Sequence, residues 1–195
     1  MLKRDAIEAI GFAAIGTDVQ ISEHARFYGA SRIILGNHVR IDDFCVLSAG
    51  EGGISIGNHI HVAVYCSLIG NGHISMADFS GLSSRVSIYS SNDDYSGASM
   101  TNPTVPAEFK NVRHAPVRLG RHVIVGSGSI ILPGVTLEEG VAVGALSLVT
   151  KSCAAFGIYF GNPAKRIKER KRDLLALETR LLANGNPSST ILESL

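Results

Sequence analysis

Residues 119–154 read LGRHVI VGSGSI ILPGVT LEEGVA VGALSL VTKSCA, which is six blocks of six residues without interruption. The first position of every block is aliphatic: Leu119, Val125, Ile131, Leu137, Val143 and Val149. The fifth position is small or β-branched: Val123, Ser129, Val135, Val141, Ser147 and Cys153. A helix repeats near 3.6 residues and a strand at about two, so neither alone explains this period. The pattern predicts a solenoid whose short β-segments stack from coil to coil.

The same repeat continues upstream in a less regular form. Recognisable pairs of blocks are IGTDVQ-ISEHAR from Ile15, LGNHVR-IDDFCV from Leu35, IGNHIH-VAVYCS from Ile56 and MADFSG-LSSRVS from Met76. Slips of two or three residues come after every third block, which is where a coil would close. We therefore expect an all-β solenoid over 15–154 with about six coils, four before residue 94 and two after it.

Residues 90–116, SSNDDYSGASMTNPTVPAEFKNVRHAP, break the period completely. A long excursion inside a compact domain is usually functional or disordered. Apolar side chains and three prolines favour an ordered segment, because they anchor and stiffen it. These residues are Tyr95, Met100, Val105, Phe109, Val112, Pro103, Pro106 and Pro116. The sequence therefore predicts a structured loop extruded from the solenoid.

The two ends of the chain differ from the repeat. Residues 1–14 are predicted to cap the solenoid, with a short amphipathic helix over 2–13. Residues 155–183 are predicted to form a closing segment and a C-terminal α-helix that starts at Pro163. Its apolar stripe would be Ile167, Leu174, Leu177 and Leu181. We expect residues 184–195 to be a flexible tail.

Composition narrows the functional classes. The chain has 195 residues, a formal net charge of +1 and 45% hydrophobic residues, so no global field favours nucleic acid. No apolar run reaches the length needed to span a bilayer, and the N-terminus lacks a signal-peptide pattern, so we expect a cytoplasmic protein without membrane insertion. Cys45, Cys66 and Cys153 all occupy the fifth position of a block, which predicts buried, unreactive thiols.

The repeat and the segment GNPAKRI at 161–167 resemble those of the hexapeptide-repeat acyltransferases, in particular the sugar O- and N-acetyltransferases of bacterial surface polysaccharide synthesis. The resemblance implies a left-handed parallel β-helix with three hexapeptides per coil. It also implies a homotrimer that moves an acetyl group from acetyl-CoA, as cosubstrate, to a hydroxyl or amine of a sugar. In that family the extruded loop reaches a neighbouring subunit and helps to form the active site.

Positions after the loop correspond to the family's cofactor groove. The pantetheine arm is expected against Gly126, Ser127, Gly144 and Ala145. The phosphates of CoA are expected at Lys151, Lys165 and Arg166.

The acceptor must lose a proton as it attacks the thioester, so a general base is expected. Related sugar acetyltransferases carry this histidine at the start of the loop, where the present sequence has Asp93 and Asp94. Two hypotheses follow: His114, at the end of the loop, is the base and an aspartate orients it, or a carboxylate itself is the base or positions an amine. Residues expected to bind the acceptor are Asn92, Tyr95, His61 and Tyr65.

The sequence also has to be weighed against two other classes of protein. One is a non-catalytic trimeric scaffold or binding protein, which the missing loop histidine would suit. The other is a metal site, since γ-class carbonic anhydrases share the solenoid, but their histidine pair five residues apart is missing here, so no metal is expected. His38, His59 and His122 occupy corner positions and are expected at the surface.

Overall fold

The computed structural model describes residues 1–184. Two helices flank the solenoid, α1 at Arg4–Glu8 and α2 at Asp173–Asn184, and short 3-10 turns lie at Ala30–Arg32 and Ala107–Phe109. The flexible tail predicted for 184–195 lies outside the described residues, apart from Asn184 at the end of α2.

Six complete coils contribute three strands each. Before the loop these are β1 (Ala14–Ile15), β2 (Gln20–Ile21), β3 (Arg26–Tyr28), β4 (Ile33–Leu35), β5 (Val39–Ile41), β6 (Val46–Ala49), β7 (Ile54–Ile56), β8 (Ile60–Val62), β9 (Ser67–Gly70), β10 (Ile74–Met76), β11 (Gly81–Leu82) and β12 (Ser87–Tyr89). The loop contains β13 (Ser91–Asn92) and β14 (Arg113–His114). After it come β15 (Val117–Leu119), β16 (Ile124–Val125), β17 (Ile130–Ile131), β18 (Thr136–Leu137), β19 (Ala142–Val143), β20 (Leu148–Val149), β21 (Gly157–Phe160) and β22 (Lys165–Glu169).

The strands stack into three parallel sheets, which are the faces of the solenoid. Face A is β1-β4-β7-β10-β15-β18, face B is β2-β5-β8-β11-β16-β19-β21-β22 and face C is β3-β6-β9-β12-β17-β20. A seventh, incomplete coil consists of a bridge from Leu137 to Cys153 on face A and of β21 on face B. The predicted β-solenoid is confirmed, and the coil count differs only by this partial turn.

The register explains the period of six. Leu119 pairs with Leu137, Val125 with Val143 and Ile131 with Val149, so each aliphatic first position stacks on the position three blocks later. All of these side chains are buried. The three cysteines are also buried and free, as predicted, and burial raises the pKa of the Cys153 thiol to about 11.

Two of the three corners are built from residues in the left-handed backbone conformation. At the corner between faces A and B, His38, His59, Phe79 and His122 have φ of 55°, 55°, 60° and 58°. Their rings stack in sequence, with centroids 4.5, 4.8 and 5.2 Å apart. Left-handed non-glycine residues are uncommon, so the stacking of identical corners helps to hold them.

The third corner, between faces C and A, absorbs every irregularity of the repeat. The slips before the loop fall at residues 29–32, 50–53 and 70–73, each between a face C strand and the following face A strand. The loop leaves the solenoid at the same corner, between β12 and β15. Chain added at this corner does not interrupt a face, so the stacking continues past the loop.

The N-terminal helix is shorter than the predicted 2–13. Only Arg4–Glu8 is helical, and Ile7 is buried against the first coil. The flanking backbone hydrogen bonds to the solenoid instead, from Leu2 N to Ile21 O at 2.7 Å and from Ala13 N to Ile33 O at 2.9 Å. Those bonds compete with further helical turns.

The C-terminal helix does not start at Pro163. Residues Lys165–Glu169 form β22, which pairs antiparallel with β21 at the end of face B, so Ile167 is not part of a helical stripe. Helix α2 begins at Asp173, and its side chains Leu177 and Leu181 are exposed. Neither helix in residues 1–184 is long and apolar enough to cross a bilayer.

Polar contacts attach α2 to the solenoid. Glu178 is paired with Arg121 and with His122, whose Nε2 lies 2.7 Å from Oε2 of the glutamate. His122 is therefore covered by the helix and is not the surface residue that its corner position suggests, and burial, with the Arg121 charge, lowers its pKa.

A matched pair of substitutions on β4 tests the inward and outward positions. Leu35→Ala should lower the free energy of unfolding by about 2–5 kcal/mol, because Leu35 is buried in the core. Ile34→Ala should cost less than about 1 kcal/mol, because Ile34 is 45% exposed. Urea unfolding at one fixed protein concentration measures both. Equal losses would contradict the assigned orientation of the strand.

Candidate active site

A groove lies on the outer surface of face B, across coils three to five. Its volume is about 310 Å³. The lining residues are His61, Ala63, Gly81, Leu82, Ser83, Ser84, Ile124 and Ser127. They come from β8, β11, β16 and the corner between faces B and C. The lining is half apolar and half hydroxyl or imidazole, which suits a polar ligand with an apolar arm.

The groove exists because Gly81 has no side chain. Gly81 pairs with His61 on one side and with Ile124 on the other, so these three residues form one outward row. A Cβ atom on Gly81 would lie 3.6 Å from the His61 carbonyl oxygen and 3.7 Å from Ile124 Cδ1, which are ordinary contacts. The position thus has room for a side chain, and its absence leaves a depression between His61 and Ile124.

His61, predicted to bind the acceptor, forms part of the groove wall. Its Nε2 lies 2.7 Å from Asp42 Oδ2, and Arg40 Nε donates to Asp42 Oδ1 at 2.7 Å. Burial on its own raises the pKa of Asp42, but the hydrogen bonds and charges of Arg40 and His61 outweigh it, so the pKa is below its usual value. Asp42 is therefore an ionised, mostly buried partner of a histidine in the groove.

Asp42 is not among the site residues predicted from the sequence. The signal for Asp42 is the coil-to-coil pairing of Arg40 with His61, which brings the end of β5 next to the imidazole. Recognising that pairing from the sequence requires the exact length of the coil, and the slip at residues 50–53 obscures that length.

Tyr65, also predicted to bind the acceptor, is not among the groove residues. It lies at the corner between faces B and C with φ of 62°. Its ring stacks on Phe44 at 5.0 Å between centroids, and the guanidinium of Arg85 lies 5.5 Å from its centroid. Stacking along the corner accounts for this tyrosine.

The predicted catalytic residues lie together at the base of the loop. Strand β13 pairs with β14, so Ser91 faces His114, and the Ser91 hydroxyl lies 2.7 Å from His114 Nδ1. Asp93 and Asp94 follow β13 directly. Asp94 accepts hydrogen bonds from the Ser96 amide at 2.9 Å and the Ser99 hydroxyl at 2.8 Å, and bonds from Ser96 and Ser99 lower its pKa.

The predicted acceptor residues of the loop lie beside this group. Asn92 ends β13 and its amide donates to the Asp93 carbonyl at 3.1 Å. Tyr95 is 85% exposed. Further along the loop, a depression of about 450 Å³ is lined by Gly97, Ala98, Ser99, Met100, Glu108, Phe109 and Lys110.

Within one chain the loop and the groove are separated. The groove lies on face B and at the corner where face B meets face C, whereas the loop leaves at the corner where face C meets face A. None of the groove-lining residues belongs to the loop. The candidate site is therefore divided between two edges of the triangular cross-section.

Four of the predicted cofactor residues form one patch that continues the groove. Gly126 and Ser127 stack directly on Gly144 and Ala145 of the next coil, and a Cβ on Gly126 would lie only 2.5 Å from Ala145 N. Gly144 lies under the ring of Phe160, where a Cβ would also come within 2.5 Å. Close stacking therefore requires both glycines, and it exposes backbone at the groove's edge.

The three residues predicted to contact the phosphates of CoA are not in this patch. Lys151 follows β20, at the corner between faces C and A, whereas Lys165 and Arg166 belong to β22 at the end of face B. Arg166 is paired with Glu169. Other cations of the basic segment have structural partners: Arg170 donates to His122 O at 2.7 Å and to Gly140 O at 3.0 Å, and Arg172 lies 4.4 Å from the Phe156 ring centroid.

No group of three or more His, Cys, Asp or Glu side chains in residues 1–184 is arranged to hold a metal ion.

The class of hexapeptide-repeat acyltransferases is defined by three features of this structure. They are a three-faced parallel solenoid, an extruded loop, and a groove lined by glycine and serine that continues along the coils.

Comparisons with known proteins agree with that class. The chain is 54% identical over 173 residues to a dTDP-4-amino-4,6-dideoxy-D-glucose acyltransferase of Escherichia coli, covering 89% of this chain and 90% of that protein. No family model matches the chain.

Among solved structures, the N-acyltransferase AntD of Bacillus cereus superposes with a TM-score of 0.91 at 42% identity, covering 94% of this chain and 97% of that one. That structure is a serine-to-cysteine variant in complex with dTDP-4-amino-4,6-dideoxyglucose and coenzyme A. A further AntD structure contains dTDP and 3-hydroxybutyryl-CoA and has a TM-score of 0.90 at 43% identity, covering 93% of this chain and 96% of that one.

The chain therefore belongs to the left-handed β-helix acyltransferases. It is an enzyme, an acyltransferase that uses an acyl-CoA as cosubstrate and a sugar as acceptor. The interpretation as a non-catalytic scaffold is not supported.

Filling the groove tests whether it binds the substrates. Gly81→Val should raise the KM for acyl-CoA or for the acceptor at least about tenfold, because two methyl groups would occupy the depression. Ser75→Val, at the outward centre of β10 in the same coil but on face A, is the matched control and should leave both KM values near wild type. Steady-state kinetics measure both variants. An unchanged KM for both substrates in Gly81→Val would rule the groove out.

Proposed function

We propose that this enzyme transfers an acetyl group from acetyl-CoA to the 4-amino group of a dTDP-linked 4-amino-4,6-dideoxyhexose. The observation that carries the proposal is similarity over nearly the whole chain to two acyltransferases, one named for dTDP-4-amino-4,6-dideoxy-D-glucose and the other solved with that sugar and coenzyme A bound. The groove of face B and the patch from Gly126 to Ala145 would hold the acyl-CoA, and the pyrophosphate-linked sugar would approach from the loop.

An amine acceptor agrees with the composition of the site. The loop offers Asp93 and Asp94 where related sugar acetyltransferases have a histidine. An ionised carboxylate, as the lowered pKa of Asp94 implies, binds a sugar ammonium well and would orient the nitrogen toward the thioester. Ser84, in the groove wall, would donate to the thioester carbonyl or the acceptor.

Direct attack in a ternary complex is the proposed chemistry. A covalent acyl-enzyme would need an activated nucleophile, and thiols are the usual choice. Burial raises the pKa of the Cys153 thiol, and the hydrogen bond between Cys45 and Cys66 raises the pKa of Cys45 and lowers that of Cys66. All three thiols are enclosed in the core, away from the groove. The amine nitrogen would therefore attack the acetyl carbonyl itself.

A homotrimer would complete the site. In one chain the loop residues and the groove lie at different edges of the solenoid, so a second copy must supply one half. A heterologous contact between loop and groove closes into a ring when the rotation fits three copies. The exposed Tyr95, Met100 and Phe109 of the loop would be covered by that contact.

We infer a cytoplasmic enzyme. The three cysteines of the chain are free and buried. Free thiols without disulfides are typical of a reducing compartment.

The substrate assignment is tested with purified enzyme and a thiol-release assay. dTDP-4-amino-4,6-dideoxyglucose with acetyl-CoA should release CoA and give an N-acetylated sugar by mass spectrometry. dTDP-6-deoxyglucose, which has a hydroxyl in place of the amine, is the matched control and should react at least about a hundredfold more slowly, because a hydroxyl is the poorer nucleophile at neutral pH. Faster transfer to the hydroxyl sugar, or from 3-hydroxybutyryl-CoA than from acetyl-CoA, would contradict the acceptor or the acyl assignment.

Mixed oligomers test the shared site. Asp94→Asn should disable the loop, and Gly81→Val should weaken binding in the groove, so each alone is expected to have little activity at substrate concentrations well below the wild-type KM. After co-expression in equal amounts, about a quarter of the contacts in a random trimer join a native loop to a native groove, so about a quarter of wild-type activity should return. Sedimentation gives the oligomeric state. No recovery in verified mixed trimers would mean that each chain holds a complete site.

A further inference from the structure

The Asp42–His61 pair has features that stability alone does not require. The side chain of Asp42 is 12% exposed, and its charge is already bonded to Arg40. His61 is 52% exposed, and ion pairs that open to solvent contribute little to stability. A structural role for the second bond is therefore weak, whereas a role in orienting the imidazole has a direct consequence in the groove.

The carboxylate determines which ring nitrogen of His61 carries the proton. Because Asp42 is ionised, it only accepts hydrogen bonds, so His61 Nε2 is the protonated nitrogen at 2.7 Å from Oδ2. In the neutral ring the other nitrogen, Nδ1, then has a lone pair that can accept a proton.

Few other charges act on this ring. From β5 and the following corner come Arg40, Asp42 and the buried thiol of Cys45, and the corner after β8 adds the buried thiol of Cys66. The strands on the groove side supply Gly81, Leu82 and Ile124, none of which titrates. Ser83, Ser84 and Ser127 supply hydroxyl groups only. A ligand in the groove therefore meets one basic nitrogen, that of His61.

We propose that His61 is the proton acceptor of the transfer reaction and that Asp42 is the residue that positions it. This rests on the proposed function, since it assumes that the acceptor amine, which approaches from the loop, meets the acyl-CoA in the face B groove beside His61. It also separates two roles: loop carboxylates from a neighbouring copy hold the amine, and His61 removes its proton. His114 is then not the base.

The proposed step balances in atoms and charge. The lone pair of the neutral amine attacks the thioester carbon, and the carbonyl π electrons move to oxygen. His61 Nδ1 takes one proton from the cationic nitrogen. The carbonyl re-forms, the C–S bond breaks and CoA leaves as a thiolate, which then receives the proton from the imidazolium.

Three single variants test the proposal by kinetics across pH. His61→Asn should lower kcat about 10²–10⁴-fold, the usual contribution of a general base. Asp42→Asn should lower it about 10–100-fold, the typical loss for a partner that orients a histidine. His24→Asn, a solvent-facing histidine stacked on Phe44 in the first coil, is the matched control and should keep wild-type kcat.

The pH profile distinguishes a base from a binding residue. Wild-type kcat should fall on acidification, because a protonated imidazole accepts no proton. His61→Asn should lose that fall or move it to the titration of the substrate amine. If His61→Asn raises only KM and keeps the acid limb, or if His114→Ala removes the limb in its place, the proposal is wrong.

A measurement without turnover separates this proposal from the substrate assignment. ¹⁵N-edited NMR of the histidine rings should show His61 with its proton on Nε2 near neutral pH, and Asp42→Asn should remove that preference. A wild-type ring protonated on Nδ1 would overturn the proposal whatever the acceptor is. If wild type is inactive on the dTDP-amino sugar, the substrate assignment fails, and the same variants are compared on the sugar that the wild type does acetylate.

Discussion

The parallel stacking of equivalent positions is the constraint on which the rest of the molecule depends. Each coil hydrogen bonds to the next through the main chain of all three faces, so a residue that points inward must find an inward partner one coil away. Leu119 on Leu137 and Val125 on Val143 satisfy this rule. A one-residue slip would reverse every side chain on a face. Insertions are therefore confined to the corner between faces C and A, which also extrudes the loop.

That constraint leaves the outward positions free to carry chemistry. In the row Arg40, His61, Gly81 and Ile124, four strands of face B place a cation, an imidazole, a gap and an apolar wall at the spacing of neighbouring strands. None of these residues is needed by the core, so the groove can be shaped without a cost in packing. The patch formed by Gly126, Ser127, Gly144 and Ala145 presents backbone at its two glycines for a similar reason, because close stacking leaves no room for a Cβ there.

The repeat made the architecture predictable, because the aliphatic and small positions of 119–154 determine the stacking directly. Burial of Cys45, Cys66 and Cys153 follows from the same register. The C-terminal segment was harder to predict, since Pro163 and the spacing of Ile167, Leu174 and Leu177 match a helix, whereas pairing of β22 with β21 decides the conformation. The contact between Asp42 and His61 was not predicted, because it depends on the coil-to-coil register across an irregular corner. The separation of the loop and the groove was not predicted either, because a linear sequence does not show that they lie at different edges of the solenoid.

The C-terminal segment has a physical role that the loop and groove both depend on. A solenoid that ended at β20 would leave the last strands of faces B and C with unpaired backbone groups, which favour uncontrolled edge pairing. Strand β21 and its antiparallel partner β22 cover the end of face B, and Arg170 bonds two carbonyl oxygens of the preceding coils. Glu178 then ties α2 to Arg121 and His122, in the corner directly before the strand that contains Ile124 of the groove wall. Closure of this end therefore also fixes the corner that leads into Ile124 of the groove wall.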